Sequence, residues 1–177
     1  LTGGCQNVTV TRNPVASSGR AGIHAAGGSG ILVGSNVVSD NGDHGNALCR
    51  GASNCLVENN ESFRNAHPTI PSANGIYAFG SPGNTFRRNR LHDNQDTGLQ
   101  IQSGSNDCVS YLNRSWNNGD HGYAHLGATG TIHVHDVAHG NHSDGFSIQG
   151  VSTGTQIYNS IAADNGLAIG GFDLNVD

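Results

Sequence analysis

Four short stretches carry the residues best suited to chemistry. They read Asp43–His44, Asp96–Thr97, Asp120–His121 and Ser143–Asp144, and each stands at or next to a recurring glycine. Asp96, Asp120 and Asp144 follow one another at intervals of 24 residues. If that interval is a structural repeat, their carboxylates sit on adjacent turns and repel unless something cationic intervenes. Hard oxygen donors of this kind suit Ca²⁺, so Asp96, Asp120 and Asp144 are candidate metal ligands. Two alternatives stay open: neighbouring His side chains supply the charge, or each Asp caps its own turn through an Asx bond. His121 is the candidate catalytic base, because imidazole needs little tuning at neutral pH, and Asp120 is its candidate catalytic partner. Six of the ten His lie between residues 121 and 142. Of these, His133, His135 and His139 are expected on a different face, and His125 has the parity of a core residue.

The elements that must position these groups are repeats. The phrase Asn, three residues, Gly, then an apolar alternation appears as N41-GDH-G45, N94-QDT-G98, N118-GDH-G122 and N141-HSD-G145. With Gly22 and Gly75 included, the glycines are spaced 23, 30, 23, 24 and 23 residues apart. A second column, mostly Asn, lies five residues before the first (Asn13, Asn36, Asn60, Asn89, Asn113, Asp136, Ser160). The long period contains AHPTIPSAN, residues 66–74, whose two prolines mark a loop insertion. Runs such as GIYAF, GLQIQ and GFSIQ alternate with period two and read as strands. Gly and Asn between them supply turns, since both tolerate left-handed backbone. Seven turns of about 23 residues predict an all-β, right-handed parallel β-helix, one domain over residues 1–177, with stacked Asn ladders. Of the N-x-S/T sequons at Asn7, Asn60, Asn113 and Asn141, those on the ladders could be glycosylated only if the ladder were broken.

Alternation then assigns faces. Ile23, Ile76, Leu99, Tyr123 and Phe146 point inward, and His24, Ala47, Tyr77, Gln100, Ala124 and Ser147 point outward. A polar sheet with exposed aromatics suits sugars, which makes His24, Tyr77 and Gln100 candidate substrate-binding residues; an ordinary solvated sheet is the alternative. Phe63, His92, Trp116 and His139 form a vertical set that reads as packing. Arg90 and Arg114 stack on adjacent turns, and the planar fork of Arg114 makes it a candidate for carboxylate recognition.

Composition narrows the partners. Only 12% of the 177 residues are charged, the net charge is −5, and all eight cations are Arg. That is too little for the phosphate contacts of a nucleic-acid binder or for a polybasic membrane patch. No apolar run is long enough for membrane insertion as a helix. Cys49 and Cys55 could bridge the turn between them, with buried free thiols as the alternative. Met is absent, and neither LTGGCQN nor GGFDLNVD looks like a solenoid cap. Missing flanking segments, or end-to-end chain contacts, are therefore expected at the open ends.

The rungs with their Asn ladders resemble the right-handed β-helix of pectate lyases, mannuronan C5-epimerases and related polysaccharide-processing proteins. The stretch HDNQDTGLQIQSGSND from His92, with NNGD and SDGF after it, is similar to polysaccharide lyase family nine. That resemblance implies calcium held at Asp96, Asp120 and Asp144 and a Lys that abstracts the sugar proton. The Lys does not carry over: the equivalent position holds Ile148 and Gln149. Epimerase-like Tyr, His, Asp and Arg are present as types, without a match to that family's acidic-Pro-His motif. The implied function is a secreted or cell-surface protein acting on acidic (uronate) polysaccharides by proton abstraction, then β-elimination or epimerisation. The rival is a non-catalytic glycan-binding or assembly module. Hydrolysis by paired carboxylates is a third option.

Overall fold

A computed structural model describes residues 1–177. The chain winds into a parallel β-solenoid of three seven-stranded sheets and contains no helix. Each coil adds one strand to each sheet. The first sheet starts at Thr9–Thr11, the second at Pro14–Ala16 and the third at Ile23–Ala26. In the third sheet, Leu99–Gln102 lies between Ile76–Phe79 and Tyr123–Leu126, with Leu99 beside Ile76 and Tyr123. The 66–74 insertion forms no strand, and the chain rejoins the stack at Asn74. No helix is long and apolar enough to cross a membrane.

Both Asn ladders form. In one, the Nδ2 of Asn36, Asn60 and Asn89 donates to the Oδ1 of the next Asn at 3.0–3.1 Å. In the other, Asn41, Asn65, Asn94, Asn118 and Asn141 do the same at 2.8–3.0 Å. These amides also hold backbone carbonyls of the preceding coil, as Asn60 Nδ2 does with Val33 O. Three of the sequon asparagines, Asn60, Asn113 and Asn141, are buried ladder members.

The turn backbone differs from expectation. The residue just before each position of the Asn13-to-Ser160 column is left-handed; Asn59 and Asn159 fit the expected turn residues, but Arg12, Ser35, Arg88, Leu112 and His135 do not. Non-Gly residues adopt this conformation uncommonly, so stacking rather than local preference holds it. The repeat glycines, by contrast, have ordinary φ. A Cβ on Gly75 would lie 2.7 Å from Gly98 O and 2.9 Å from Asn94 Nδ2. Space requires glycine there.

A cluster of twenty apolar side chains fills the lumen, including Val33, Val57, Phe86, Leu91, Leu99, Ile101 and Tyr123. All four cysteines are free. Cys49 ends a third-sheet strand facing outward, whereas Cys55 is buried ahead of the next first-sheet strand, so no bridge forms between them.

Candidate functional site

The outward face of the third sheet gathers His24, Tyr77 and Gln100 in one register row, as alternation requires. His24 is exposed, whereas Tyr77 and Gln100 are half-buried. Ala47, Ala124 and Ser147 in the same row are small and buried, which makes the face a shallow trough. Over its first three coils the trough deepens into a cleft of about 440 Å³ that takes in Arg20, His24, Asp43, His44, Ala47, Cys49, Arg50, Tyr77 and Phe79. That volume lies in the range of small-ligand sites.

Local chemistry in the cleft is specific. His44 stacks on Tyr77 with ring centroids 4.2 Å apart. Its Nδ1 accepts Asn74 N–H at 3.1 Å, and its Nε2 lies 3.4 Å from Asp43. Tyr77 donates to Gln102 Oε1 at 2.8 Å, and burial pushes its phenol up to about 12, so it keeps its proton. His24 has no side-chain hydrogen bond. Burial lowers its pKa, and nearby cations including Arg20 and Arg50 push the same way. It is therefore neutral near pH 7, with a free lone pair.

The second GDHG copy repeats the first. His121 Nδ1 accepts Asp144 N–H at 3.1 Å, and Nε2 lies 3.4 Å from Asp120. A neutral imidazole has one lone pair, and here the backbone holds it. The geometry thus makes His121 a hydrogen-bond donor through Nε2, not the free base expected from its position. The signal was local: a His directly before the repeat glycine meets the next coil's N–H.

The three aspartates do not converge. Asp96 and Asp120 approach each other; burial first, and then the Asp120 charge, push Asp96 up to about 6. Asp144 is buried, accepting from Ser147 Oγ at 3.0 Å, Phe172 N–H at 2.8 Å and Asn175 Nδ2 at 3.2 Å. It fastens the last coil. No group of three or more His, Cys, Asp or Glu is placed to hold a metal ion.

The Asp96 environment has a testable sign. Its folded pKa lies above the ordinary carboxyl value of 3.8, so ionisation opposes folding as pH rises between about 4 and 6. In chelator-containing buffer, Asp96→Asn should stabilise the fold by about 1–2 kcal/mol at pH near 7.5, after discounting for partial exposure. The gain should vanish below about pH 4. Urea titrations at the two pH values check this; an equal effect at both refutes the crowded-carboxyl reading.

Arg114 is not part of this face. It sits in the second sheet beside Arg90, exposed, and Arg90 pairs with Glu61. Phe63, His92, Trp116 and His139 stack near-parallel at 5.0, 4.3 and 5.9 Å, with the Arg64 guanidinium over Phe63. Ring faces meet one another, so the column is packing. His133 lies in the first sheet, a different face as expected, and its side chain crosses the lumen to His125, with Nε2 atoms 2.8 Å apart.

A family described as right handed beta helix region matches residues 1–162. The chain belongs to that family. This β-helix is similar to the pectate disaccharide-lyase of Dickeya chrysanthemi, at 38% identity over 125 residues, 64% of this chain and 17% of that protein. It superposes on the Azotobacter vinelandii mannuronan C-5 epimerase A-module with a TM-score of 0.82 at 20% identity, covering 92% of this chain and 44% of that one. A periplasmic alginate epimerase gives 0.77 at 19% identity over 88% and 40%. At such identities the solved structures share the fold. The chain spans under a fifth of the curated relative and under half of these epimerases.

Proposed function

We propose that this β-helix acts on an acidic polysaccharide laid along the third sheet, at the cell surface or beyond it, by abstracting a sugar C5 proton. The observation that carries the reading is the cleft, where an unengaged, neutral His24 and a protonated Tyr77 stand together. The relatives' names, a pectate disaccharide-lyase and mannuronan and alginate epimerases, support a uronate substrate. In this reading His24 Nε2 or Nδ1 takes the C5 proton in place of His121. The C5–H electrons form the C4=C5 bond as the C4–O bond breaks, and the leaving oxygen takes the Tyr77 phenol proton. Epimerisation instead returns a proton to the opposite face of C5. His121 and Asp120 serve as positioned polar groups farther along the trough.

Calcium fits this chain only in part. Asp96 and Asp120 offer two crowded carboxylates, fewer oxygens than the six to eight Ca²⁺ takes, and Asp144 is committed elsewhere. Held by Asp96 and Asp120, the ion would supply positive charge for the polymer's carboxylates. No protein group is required to act through it in the step above.

The test is an ultraviolet assay for unsaturated uronate ends on pectate, alginate and glycosaminoglycan, with calcium and with chelator, alongside proton-exchange measurement at C5. His24→Gln should reduce turnover by about 10²- to 10⁴-fold, the usual worth of a general base, with unchanged circular dichroism. Uronate binding by folded protein with neither product nor exchange would make this a glycan-binding module.

A further inference from the structure

The cleft holds two arginines that the reaction above does not use. Arg20 lies in the turn leading into the strand Ile23–Ala26, and Arg50 directly follows the strand Asn46–Cys49 in left-handed backbone. They flank the same stretch of sheet from its two sides. Both are exposed, and both charges are felt at His24 between them. Three of the other six arginines pair with acids, Arg64 with Asp40, Arg87 with Glu58 and Arg90 with Glu61. Neither Arg20 nor Arg50 has such a partner. Asp43 is the one acid lining the cleft, and it leans toward His44. Two cations against one anion leave a local positive charge on a chain of net charge −5.

We propose that Arg20 and Arg50 form a carboxylate-reading subsite that takes one acidic sugar residue, with Tyr77 and Phe79 as the apolar wall for its ring. This rests on the reading that the third sheet binds an acidic glycan, and it assigns the residues that select the acid. A guanidinium presents paired N–H donors that match the two oxygens of a carboxylate, and it stays charged at any physiological pH. Ala47 lies between the two arginines and, as a buried methyl, leaves room above it. Tyr77 and Phe79 are parallel-stacked with centroids 6.2 Å apart, and Phe79 is 43% exposed. Such a surface suits the C–H face of a pyranose. Asp43 disfavours a second carboxylate on its side of the cleft, which limits the subsite to one acid group. The arginines are specificity residues: they touch the substrate's carboxylate, not the reacting proton.

The experiment uses the full chain and measures binding, not turnover. A uronate trisaccharide and the same trisaccharide with its carboxyls reduced to neutral alcohols are titrated by calorimetry in chelator-containing buffer. The acid form should bind at least tenfold tighter. Arg20→Gln and Arg50→Gln should each lower acid affinity by about tenfold, the order expected for one charge-assisted pair at a partly exposed site, and leave the neutral form unchanged. In the double variant the two ligands should bind alike. Both arginines are exposed, so folding is expected to survive, and circular dichroism with a urea midpoint confirms it. Discrimination retained by the folded double variant overturns the proposal, as does equal affinity of the unmodified chain for both ligands. Selective, arginine-dependent binding without turnover upholds the subsite and removes only the catalytic reading.

Discussion

Gly98→Ala is expected to lower stability by about 3–5 kcal/mol, combining overpacking with lost hydrogen bonds. A Cβ at Gly98 collides with Ser115 Oγ and comes 2.8 Å from Gly122 O and 3.1 Å from Asn118 Nδ2. None of the three can yield freely. Gly122 O accepts Leu99 N–H at 3.1 Å and Ser115 Oγ–H at 2.8 Å, while Asn118 is a ladder member. Moving any of them pries apart two coils. The control is Gly51→Ala, where φ is +82° and nothing lies within 4 Å of the added methyl. That change meets only backbone strain, about 1–2 kcal/mol. Urea denaturation of both variants decides the matter. If Gly98→Ala is no worse than Gly51→Ala, the glycine column is conformational after all and the packing argument fails.

That contrast marks what the sequence could and could not convey. The recurring glycines, 23–24 residues apart except across the 66–74 insertion, placed six of the seven third-sheet strands, because in a parallel stack the same residue types must recur wherever the same neighbours recur; the last, Leu174–Val176, starts 28 residues after Phe146 and lay outside the period. The period also led to conformational freedom as the reason for the glycines. Several left-handed positions fall on residues such as Leu112 and Arg88, which no turn propensity marks. Their conformation is set by coils above and below, so it is a property of the stack. Strand parity likewise placed His125 inside but could not show that His133, from another sheet, meets it in the lumen.

The candidate site was legible to the same depth. His24, Tyr77 and Gln100 share a face because alternation fixes which side a residue takes. Asp144 shares the spacing of Asp96 and Asp120 but stands one position nearer its glycine, and that single step turns it from the surface into hydrogen bonds with the last coil. Arg114 was placed by charge type alone, and its sheet faces elsewhere. Arg20 and Arg50 escaped because they lie outside the alternating runs, in the turn before one strand and the residue after another. The available signal was their nearness to repeat glycines, two residues before Gly22 and five after Gly45, in a chain with few cations.

Asp136→Ala is expected to cost roughly 3–5 kcal/mol, the range for removing one partner of a buried polar or charged pair, whereas Asp136→Asn should cost only about 1 kcal/mol. Asp136 stands in place of Asn at the end of the Asn36-to-Asn113 ladder and is fully buried. It accepts Ser110 Oγ–H at 2.6 Å, Asn113 N–H at 2.7 Å and His133 Nδ1–H at 2.7 Å. With Nδ1 of His133 donating, its Nε2 can accept from His125 Nε2–H at 2.8 Å, and His125 Nδ1 then accepts from Thr155 at 3.4 Å. Burial holds His125 well below its usual pKa and keeps it neutral. Alanine leaves this chain without an end acceptor in the buried lumen. Asparagine keeps the ladder bond to Asn113 through Oδ1, and its Nδ2 can donate to His133. Both imidazoles then switch tautomer, and His125 Nδ1–H donates to Thr155 instead. Every link of the histidine chain is preserved with its direction reversed, while the Ser110 hydroxyl must turn away. Chemical denaturation gives the two energies, and ¹⁵N spectra of the imidazoles give the tautomers. Equal losses for Ala and Asn, or unchanged tautomers in the Asn variant, would show that the histidine chain cannot reverse.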